Sequence, residues 1–424
     1  MTRKLLVFFG AELAAHLTRD GNELTLTYVP AWRGRFPLSV SLPLAQAVHT
    51  GDVVESFLAN LLPDNDRTLS AWARQFQASS SQPFQLLEHV GEDCAGAFAF
   101  VRAERATDYL GTYGFESLSE ADVAERLQDL RTDRSAWWRA SDDGHFSLSG
   151  AQSKLSLQQR DGEQWGVPSG LEPTTHILKP SIEGFGDHVH NEHFCLQLAS
   201  ELGLVAARSE VGYFEDESAI IVRRYDRVRY PAGGGVRRIH QEDFCQALGV
   251  PPRNKYQRVG GPTPKQIADV LRRHSTNAQN DIEAFRDALL FAYLTAGTDA
   301  HGKNYSVVHG EGGRVRLAPL YDLASALPYD SIDMHRAKLA MKYGRNYRIA
   351  DVTGADVAAL GEQLGLNGKA TRARGLELAD ALLAAVESVH ERFKEDGGDS
   401  ALVERLVTEL ARTTPERIRM LEIG

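Results

Sequence analysis

The chain has 424 residues, 42% of them hydrophobic and 25% charged, with 47 Lys and Arg against 57 Asp and Glu. That length is too great for one ordinary core and predicts two or three packed units, while the formal net charge of −10 excludes nucleic-acid binding through overall charge, though not through a local basic patch. Three widely spaced cysteines, Cys94, Cys195 and Cys245, exclude a disulfide framework and a paired-thiolate zinc site and predict a reducing compartment.

The opening Met1-Thr-Arg-Lys-Leu-Leu-Val-Phe-Phe-Gly10 places charge before a short apolar run, with Glu12 close behind. It is too short for the core of a secretory signal and reads as a first strand. No stretch has the apolar length of a membrane span, so a cytoplasmic protein with no membrane partner is expected. Residues 5–9 and 24–29 predict two strands, with Asp20-Gly21-Asn22 as the turn chemistry of a hairpin. Residues 36–43 alternate apolar and polar and predict another strand. Residues 53–62 predict a helix with Val54, Phe57, Leu58 and Leu61 on one face, stopped by Pro63. Two short helices follow at 71–77 and 84–90, then a turn at Gly91-Glu-Asp-Cys-Ala-Gly96 into a strand ending at Val101.

Residues 105–141 are polar, with a helix at 120–130, and read as a connection. From Phe146 the texture is β-rich, with strands at 155–158, 176–179 and 219–225 and one helix at 191–202 capped by Gly203. After Gly233-Gly-Gly235 the chain is mostly helical, at 281–295, 376–393 and 400–411. There is no internal repeat. The expected fold class is α+β: an N-terminal α+β unit (1–104), a connection (105–141), a β-rich lobe (142–232) and a helical lobe (233–424).

The segment Thr298-Asp299-Ala-His301-Gly-Lys303-Asn304 follows the apolar helix and precedes an apolar run at 305–308. Protein kinases use an Asp and an Asn five apart, the Asp to orient or accept the substrate hydroxyl proton and the Asn to ligate Mg²⁺. Downstream, Leu317-Ala-Pro-Leu-Tyr321-Asp322 ends a short strand in a carboxylate, where a kinase has its second metal-binding Asp. One amide oxygen and one carboxylate supply part of the oxygen shell that Mg²⁺ prefers. His301 and Lys303 could neutralise or hydrogen-bond a transferring phosphoryl group. Taken singly, Asp299 and Asn304 read as turn-formers and Asp322 as a helix N-cap. Their order along one loop and one strand favours the phosphoryl-transfer reading.

Lys179 ends an apolar strand, suiting a lysine that grips phosphates, although a snorkelling edge lysine has the same appearance. Glu192 on the next helix is a candidate partner for it. Ser149-Gly-Ala-Gln-Ser-Lys154 is a glycine-containing turn whose N–H groups could cover phosphates. Gly310-Glu-Gly-Gly313 reads as a hairpin turn, His188, His190 and His193 as a polar loop and not a metal site, and Arg237-Arg238 as solvated surface.

These residues together resemble the HipA family of bacterial serine/threonine kinase toxins. The resemblance spans nearly the whole chain. It includes 37–43, Asn60-Leu-Leu-Pro-Asp-Asn65, 91–96, Ser149 to Lys154, Thr175 to Lys179, Asn191-Glu192, Arg223-Arg-Tyr-Asp-Arg227 and Gln241 to Gln246. It continues through Lys255-Tyr256, Gly260-Gly-Pro262, Thr298 to Asn304 and Tyr321 to Ala326. The resemblance implies a two-lobed, phosphoinositide-kinase-like fold that uses ATP and Mg²⁺. It makes Asp299 the catalytic base and Asn304 and Asp322 the Mg²⁺ ligands. Ser149, Gly150, Ala151, Gln152, Ser153 and Lys154 become the phosphate-covering loop, with Lys179 on the phosphates. Arg223, Arg224 and Tyr225 lie at the adenine hinge, and His301, Gly302, Lys303, Tyr321, Leu323 and Ala324 complete the nucleotide contacts. It places inhibitory autophosphorylation on Ser147, with Ser149 as second candidate.

Arg223 departs from the Glu common in the family's hinge, and Ser153 from the Glu common in its loop. The implied partners are a helix-turn-helix antitoxin of the HipB type, operator DNA through that antitoxin, and a protein substrate such as an aminoacyl-tRNA synthetase. A small-molecule kinase of the aminoglycoside type and a non-enzymatic co-repressor are the competing functions.

Overall fold

Residues 3–28 carry one more strand than the sequence pattern predicts. β1 (Arg3–Phe9), β2 (Glu12–Asp20) and β3 (Glu23–Tyr28) run antiparallel. The chain reverses at Gly10 (φ +57°) and Gly21 (φ +59°), a backbone region that glycine enters without steric cost. The turn at Asp20-Gly21-Asn22 therefore joins β2 to β3. β2 escapes the pattern because Glu12, His16, Arg19 and Asp20 break up its apolar residues. β4 (Val48–Thr50) and β5 (Phe98–Arg102) complete a sheet of order β4-β3-β2-β1-β5. The computed structural model describes residues 2–32, 36–133, 135–136, 146–160, 164–182, 185, 187–230 and 235–424. They fall into two units. The first is Met1–Pro180, Gly212–Arg253 and Val307–Arg314; the second is Ser181–Val211, Asn254–Ser306 and Val315–Gly424.

In the first unit the expected strand at 36–43 is instead a buried loop. The Tyr28 hydroxyl accepts from Leu38 N at 2.8 Å and donates to Leu42 O at 2.7 Å. Glu242 accepts from Ser39 Oγ and, at 3.0 Å, from Val40 N. Side chains thus satisfy backbone groups that a ladder would otherwise pair. The helices Asp52–Ala59, Asp66–Gln75 and Pro83–Val90 stand where apolar spacing predicts them. The second starts early because Asn65 caps it, accepting from Arg67 N at 2.9 Å.

Much of the stretch read as a connection is built into the fold. It holds helix Ala106–Gly111, β6 (Tyr113–Leu118) and helix Glu120–Thr132, the last with a Ser119/Asp122 capping box. Residues 137–145 lie outside the described residues. β6 pairs with β8 (Gln164–Gly170) in a second sheet with β7 (Leu155–Arg160), β9 (His176–Pro180), β10 (Ser209–Phe214) and β11 (Glu217–Arg223), in order β10-β11-β9-β7-β8-β6. From Gly212 onward β10 belongs to this unit. β8 reads poorly as a strand because it carries two glycines and a proline. One of them, Gly166, is required there: a Cβ would stand 2.5 Å from Glu116 O. One apolar core runs from Leu5, Val7 and Phe57 through Phe100 and Leu127 to Leu157, Leu178 and Ile221, so both sheets share it.

A buried ionic cluster lies in this unit. Asp93 meets Arg227 at 2.7 Å, Arg238 at 3.3 Å and Arg224 at 3.9 Å, and accepts from Thr174 N and Oγ1 at 2.8 and 2.7 Å. Asp226 pairs with Arg224 and Arg227, both at 2.9 Å. Arg238 is therefore not solvated surface. It is buried because Asp93 and the Leu171 carbonyl, at 2.8 Å, take its charge and donors. Burial alone would raise the Asp93 carboxyl, but Arg227, Arg238 and Arg224 together hold it well below the usual carboxylate range.

The second unit is mostly helical: His188–Glu201, Pro264–His274, Ala278–Leu294, Gly354–Gln363, Gly368–Glu395 and Ala401–Glu422. The last runs on past Pro415, because the buried residues Leu410, Thr414 and Leu421 continue its apolar face. His188, His190 and His193 lie on a helix and not in a polar loop. His193 Nδ1 stands 2.9 Å from Ser209 Oγ, and burial lowers this imidazole to about 4. Gly233 and Gly234, the expected start of the helical lobe, lie outside the described residues. No helix among the described residues is long and apolar enough to cross a membrane.

Asp93→Asn removes the charge that three guanidinium groups share. It should cost about 3–5 kcal/mol of unfolding free energy near neutral pH. Because its folded-state pKa is depressed, the parent's stability from Asp93 is complete above the unfolded value of about 4 and is lost as pH falls below it. Urea denaturation from pH 7 to pH 3 should show the gap between parent and variant shrinking on the acid side.

Candidate active site

The candidate residues divide between the units. The first unit holds Ser147, Ser149 to Lys154, Lys179 and Arg223 to Tyr225. The second holds Asp299, His301 to Asn304 and Tyr321 to Ala324.

In the first unit, neighbouring strands hold three of the candidate groups. Leu155 of β7 pairs with Leu178 of β9, and Lys179 with Ile220 of β11. The loop before β7 and the segment after β11 therefore flank the strand that carries Lys179. Gly150 adopts φ +113°, and a Cβ there would stand 2.6 Å from Lys154 Nζ, which donates to Ser149 O at 2.5 Å. Glycine at 150 thus lets the lysine fold back over the turn. Asp64 N donates to Gly150 O at 3.0 Å, and Gln152 Nε2 to Pro180 O at 3.4 Å, so the loop is tied to the surrounding unit at two points. Ser147 is fully buried, with its N–H on Asp93 O at 3.0 Å and its hydroxyl on Leu61 O at 2.9 Å. Ser149 is only half-buried.

β11 ends at Arg223, which is exposed. The Arg224 side chain is committed to Asp226, Thr174 and the Cys94 carbonyl, and its N–H to Thr175 O at 3.0 Å. Tyr225 donates its hydroxyl to Gln241 Oε1.

In the second unit, the helix Ala278–Leu294 ends in a strained loop. Ala296 sits at φ +53°, and Gly297 N turns back to Ala292 O at 2.7 Å. Asp299 then projects into solvent, its side chain 64% exposed. The carbonyl of Asp299 accepts from His301 N at 2.7 Å and from Asn304 Nδ2 at 2.9 Å. The amide of Asn304 is thereby oriented, with Oδ1 left as the acceptor a hard cation requires. His301, Lys303 and Asn304 are buried, and Gly302 packs against Pro262, whose Cγ would lie 2.5 Å from a Cβ there. That close approach accounts for glycine at 302.

The Tyr321 hydroxyl donates to Lys303 O at 2.6 Å and lies 2.6 Å from Ser306 Oγ, tying the loop to the segment that carries Asp322. Asp322 itself adopts φ +59°, a left-handed conformation that costs about 1–3 kcal/mol for a non-glycine residue and concentrates at functional sites. Asn304 and Asp322 offer one amide oxygen and one carboxylate, the oxygen-donor chemistry that a hard cation such as Mg²⁺ takes.

Sequence reasoning gave no role to two neighbours. Asn191, fully buried, accepts from Ser325 N at 3.0 Å and donates to Ser325 O at 2.8 Å, gripping the backbone three residues past Asp322. Ser325 Oγ in turn donates to Thr295 O at 2.6 Å, at the end of the helix that precedes Asp299. Tyr256 donates its hydroxyl to Asp299 Oδ1, and its ring meets the His301 ring edge-on at 5.0 Å. Both residues lie within motifs that carry the family resemblance, Asn191-Glu192 and Lys255-Tyr256, but neither the motifs nor their spacing give them a role.

Comparison with known proteins gives a consistent result. The model of the HipA-like C-terminal domain matches residues 146–390, and that of the HipA N-terminal domain residues 5–101. The putative kinase Y4mE of Sinorhizobium fredii is 34% identical over 417 residues, covering 96% of this chain and 97% of that protein. The serine/threonine-protein kinase toxin HipA of Shewanella oneidensis is 31% identical over 369 residues, covering 84% and 81%. A solved Shewanella oneidensis complex of HipA, HipB and operator DNA superposes with a TM-score of 0.82 at 26% identity, covering 99% of this chain and 98% of that one.

Asn191→Ala leaves a buried N–H and a buried carbonyl of Ser325 without these partners. The expected loss is about 1–3 kcal/mol of stability, read by chemical denaturation, with the helical circular-dichroism signal retained.

Proposed function

The chain belongs to the HipA family of kinase toxins, and from this we propose that it is an ATP- and Mg²⁺-dependent protein serine/threonine kinase. The observation that carries the proposal is the Asp299–Asn304 loop. Its carboxylate is exposed and held on one oxygen by the Tyr256 hydroxyl, while its amide is fixed through the Asp299 carbonyl.

In this reading Asp299 takes the proton of a Ser or Thr hydroxyl as the hydroxyl oxygen attacks the γ-phosphorus. The bond from that phosphorus to the β,γ-bridging oxygen breaks, and ADP leaves with its electron pair. Asn304 and Asp322 would hold Mg²⁺, whose charge offsets that of the phosphates when it is bound. Lys179 and the loop from Ser149 to Lys154 would contact the phosphates. Adenine would meet the backbone of Arg223 to Tyr225, since the Arg224 side chain is engaged in the ionic cluster. A two-lobed phosphoinositide-kinase-like arrangement belongs to the same proposal.

The proposed substrate is a cellular protein, an aminoacyl-tRNA synthetase by the family expectation, so that translation and growth stop. The proposed partner is a HipB-like antitoxin, because the Shewanella oneidensis relative is seen in complex with HipB and its operator DNA.

Self-inactivation is proposed through phosphorylation of Ser147. The burial of its hydroxyl against Leu61 O supports a switch: roughly −1.5 to −2 charges cannot be accommodated there, so the modified segment must leave its seat and take the neighbouring phosphate loop with it. Ser149 is the alternative acceptor.

Asp299→Gln, at an exposed position, should fold as the parent does and lose roughly 10²–10⁴-fold in transfer of labelled phosphate from ATP to protein in a cell lysate. Labelling equal to the parent's would remove Asp299 from its role. Ser147→Ala should stay active during prolonged incubation with ATP while the parent's activity decays. Equal decay of the two would exclude Ser147 as the switch.

A further inference from the structure

Beside Asp299 the second unit has an open cavity of 520 Å³ lined by Tyr256, Arg258, Thr298, Asp299, Arg336 and Lys338. Three cations face one carboxylate there, in a chain whose formal net charge is −10. Arg258, Arg336 and Lys338 are exposed, and no carboxylate among the described residues pairs with them. Their positive field is therefore left for a ligand.

The cavity reaches Asp299 but is lined by neither Asn304, Asp322 nor Tyr321. It adjoins the proton-accepting carboxylate and not the metal-binding pair, which marks it as a place for the phosphoryl acceptor and not for the nucleotide. The ring of Tyr256 is a wall of this cavity and not an open stacking surface. Its hydroxyl is on Asp299, the Arg258 guanidinium lies over the ring at 4.4 Å, and His301 stands edge-on to it. An acidic peptide meets such a surface better than a nucleic acid, which gains affinity from stacking bases on free aromatic faces.

We propose that this cavity is an acceptor subsite that selects Ser or Thr residues flanked by carboxylates in the protein substrate. Arg336 and Lys338 attract the flanking acidic side chains, and Tyr256 gives up Asp299 to the incoming hydroxyl. This inference rests on the assignment of Asp299 as the base.

The test uses the full chain with labelled ATP and two synthetic serine peptides that differ only in having Glu or Lys beside the serine. Exposed ion pairs each contribute a few-fold, so kcat/KM should favour the Glu peptide by about tenfold at low salt, and less as salt rises. Arg336→Glu combined with Lys338→Glu should invert the ratio between the peptides, a comparison made within one protein and so independent of its overall activity. A parent without preference, a parent preferring Lys, or a double variant that keeps the Glu preference would overturn the subsite while leaving the kinase reading intact. Inhibition of peptide transfer by a short RNA, with no effect of excess serine-free Glu peptide, would overturn the choice of an acidic protein segment. Absence of transfer to either peptide and to the protein itself would overturn the kinase reading and the subsite with it.

Discussion

Asp93 is a buried carboxylate shared by three guanidinium groups, and much of the first unit is organised by it. Its side chain holds Arg224, Arg227 and Arg238, and its backbone carbonyl holds Ser147 N. The segment leaving β11 and the segment leading into the loop at Ser149 are therefore fixed to one residue at the end of the N-terminal sheet. Gly96 N adds a bond to Asp226 at 2.8 Å, and the Cys94 carbonyl accepts from Arg224 and Arg227. With an apolar core common to both sheets, the N-terminal region is part of the body that carries Lys179 and not an appendage to it. Removing such a charge is costly because three buried guanidinium groups are then balanced by one carboxylate fewer.

The second unit solves a different problem. Two non-glycine residues near the candidate site, Ala296 and Asp322, sit at positive φ, which is unfavourable in any unconstrained loop. The surrounding bonds over-determine the path. Ser325 is held by Asn191 on one side and holds Thr295 on the other, while Ala326 N donates to Ala296 O at 3.1 Å. Tyr321 completes the frame through Lys303 O. The strain is offset by bonds that exist only when both segments are in place.

What the sequence could reveal followed from range. Helices with apolar spacing, such as Ala278–Leu294, and strands with dense apolar residues, such as β9 and β11, are local patterns and were legible. β2 and β8 were not, because polar residues in one and glycine and proline in the other hide their period. The loop at 36–43 imitates a strand since burial of Leu38 and Leu42 imposes alternation, while Glu242, some two hundred positions away, replaces the ladder. Arg238 looked solvated for the same reason: its anion, Asp93, is remote in sequence. Asp299, Asn304 and Asp322 stand out in the sequence because the phosphoryl-transfer reading rests on residue type and spacing. Asn191 and Tyr256 act through contacts across the fold, which spacing does not encode.

The exposure of the candidate residues divides along the lines of their proposed roles. His301, Lys303 and Asn304 are 3%, 4% and 6% exposed, whereas Asp299, on the same loop, is largely open. A group that binds metal or phosphate gains from being fixed in advance, because preorganised dipoles need no rearrangement when charge develops. A base that must meet a hydroxyl on another macromolecule cannot be enclosed in the same way. A short 3₁₀ turn, Gly302–Asn304, separates the two environments within five positions. The glycine at its start makes the separation possible: it lets Pro262 press the turn inward while Asp299 remains at the surface.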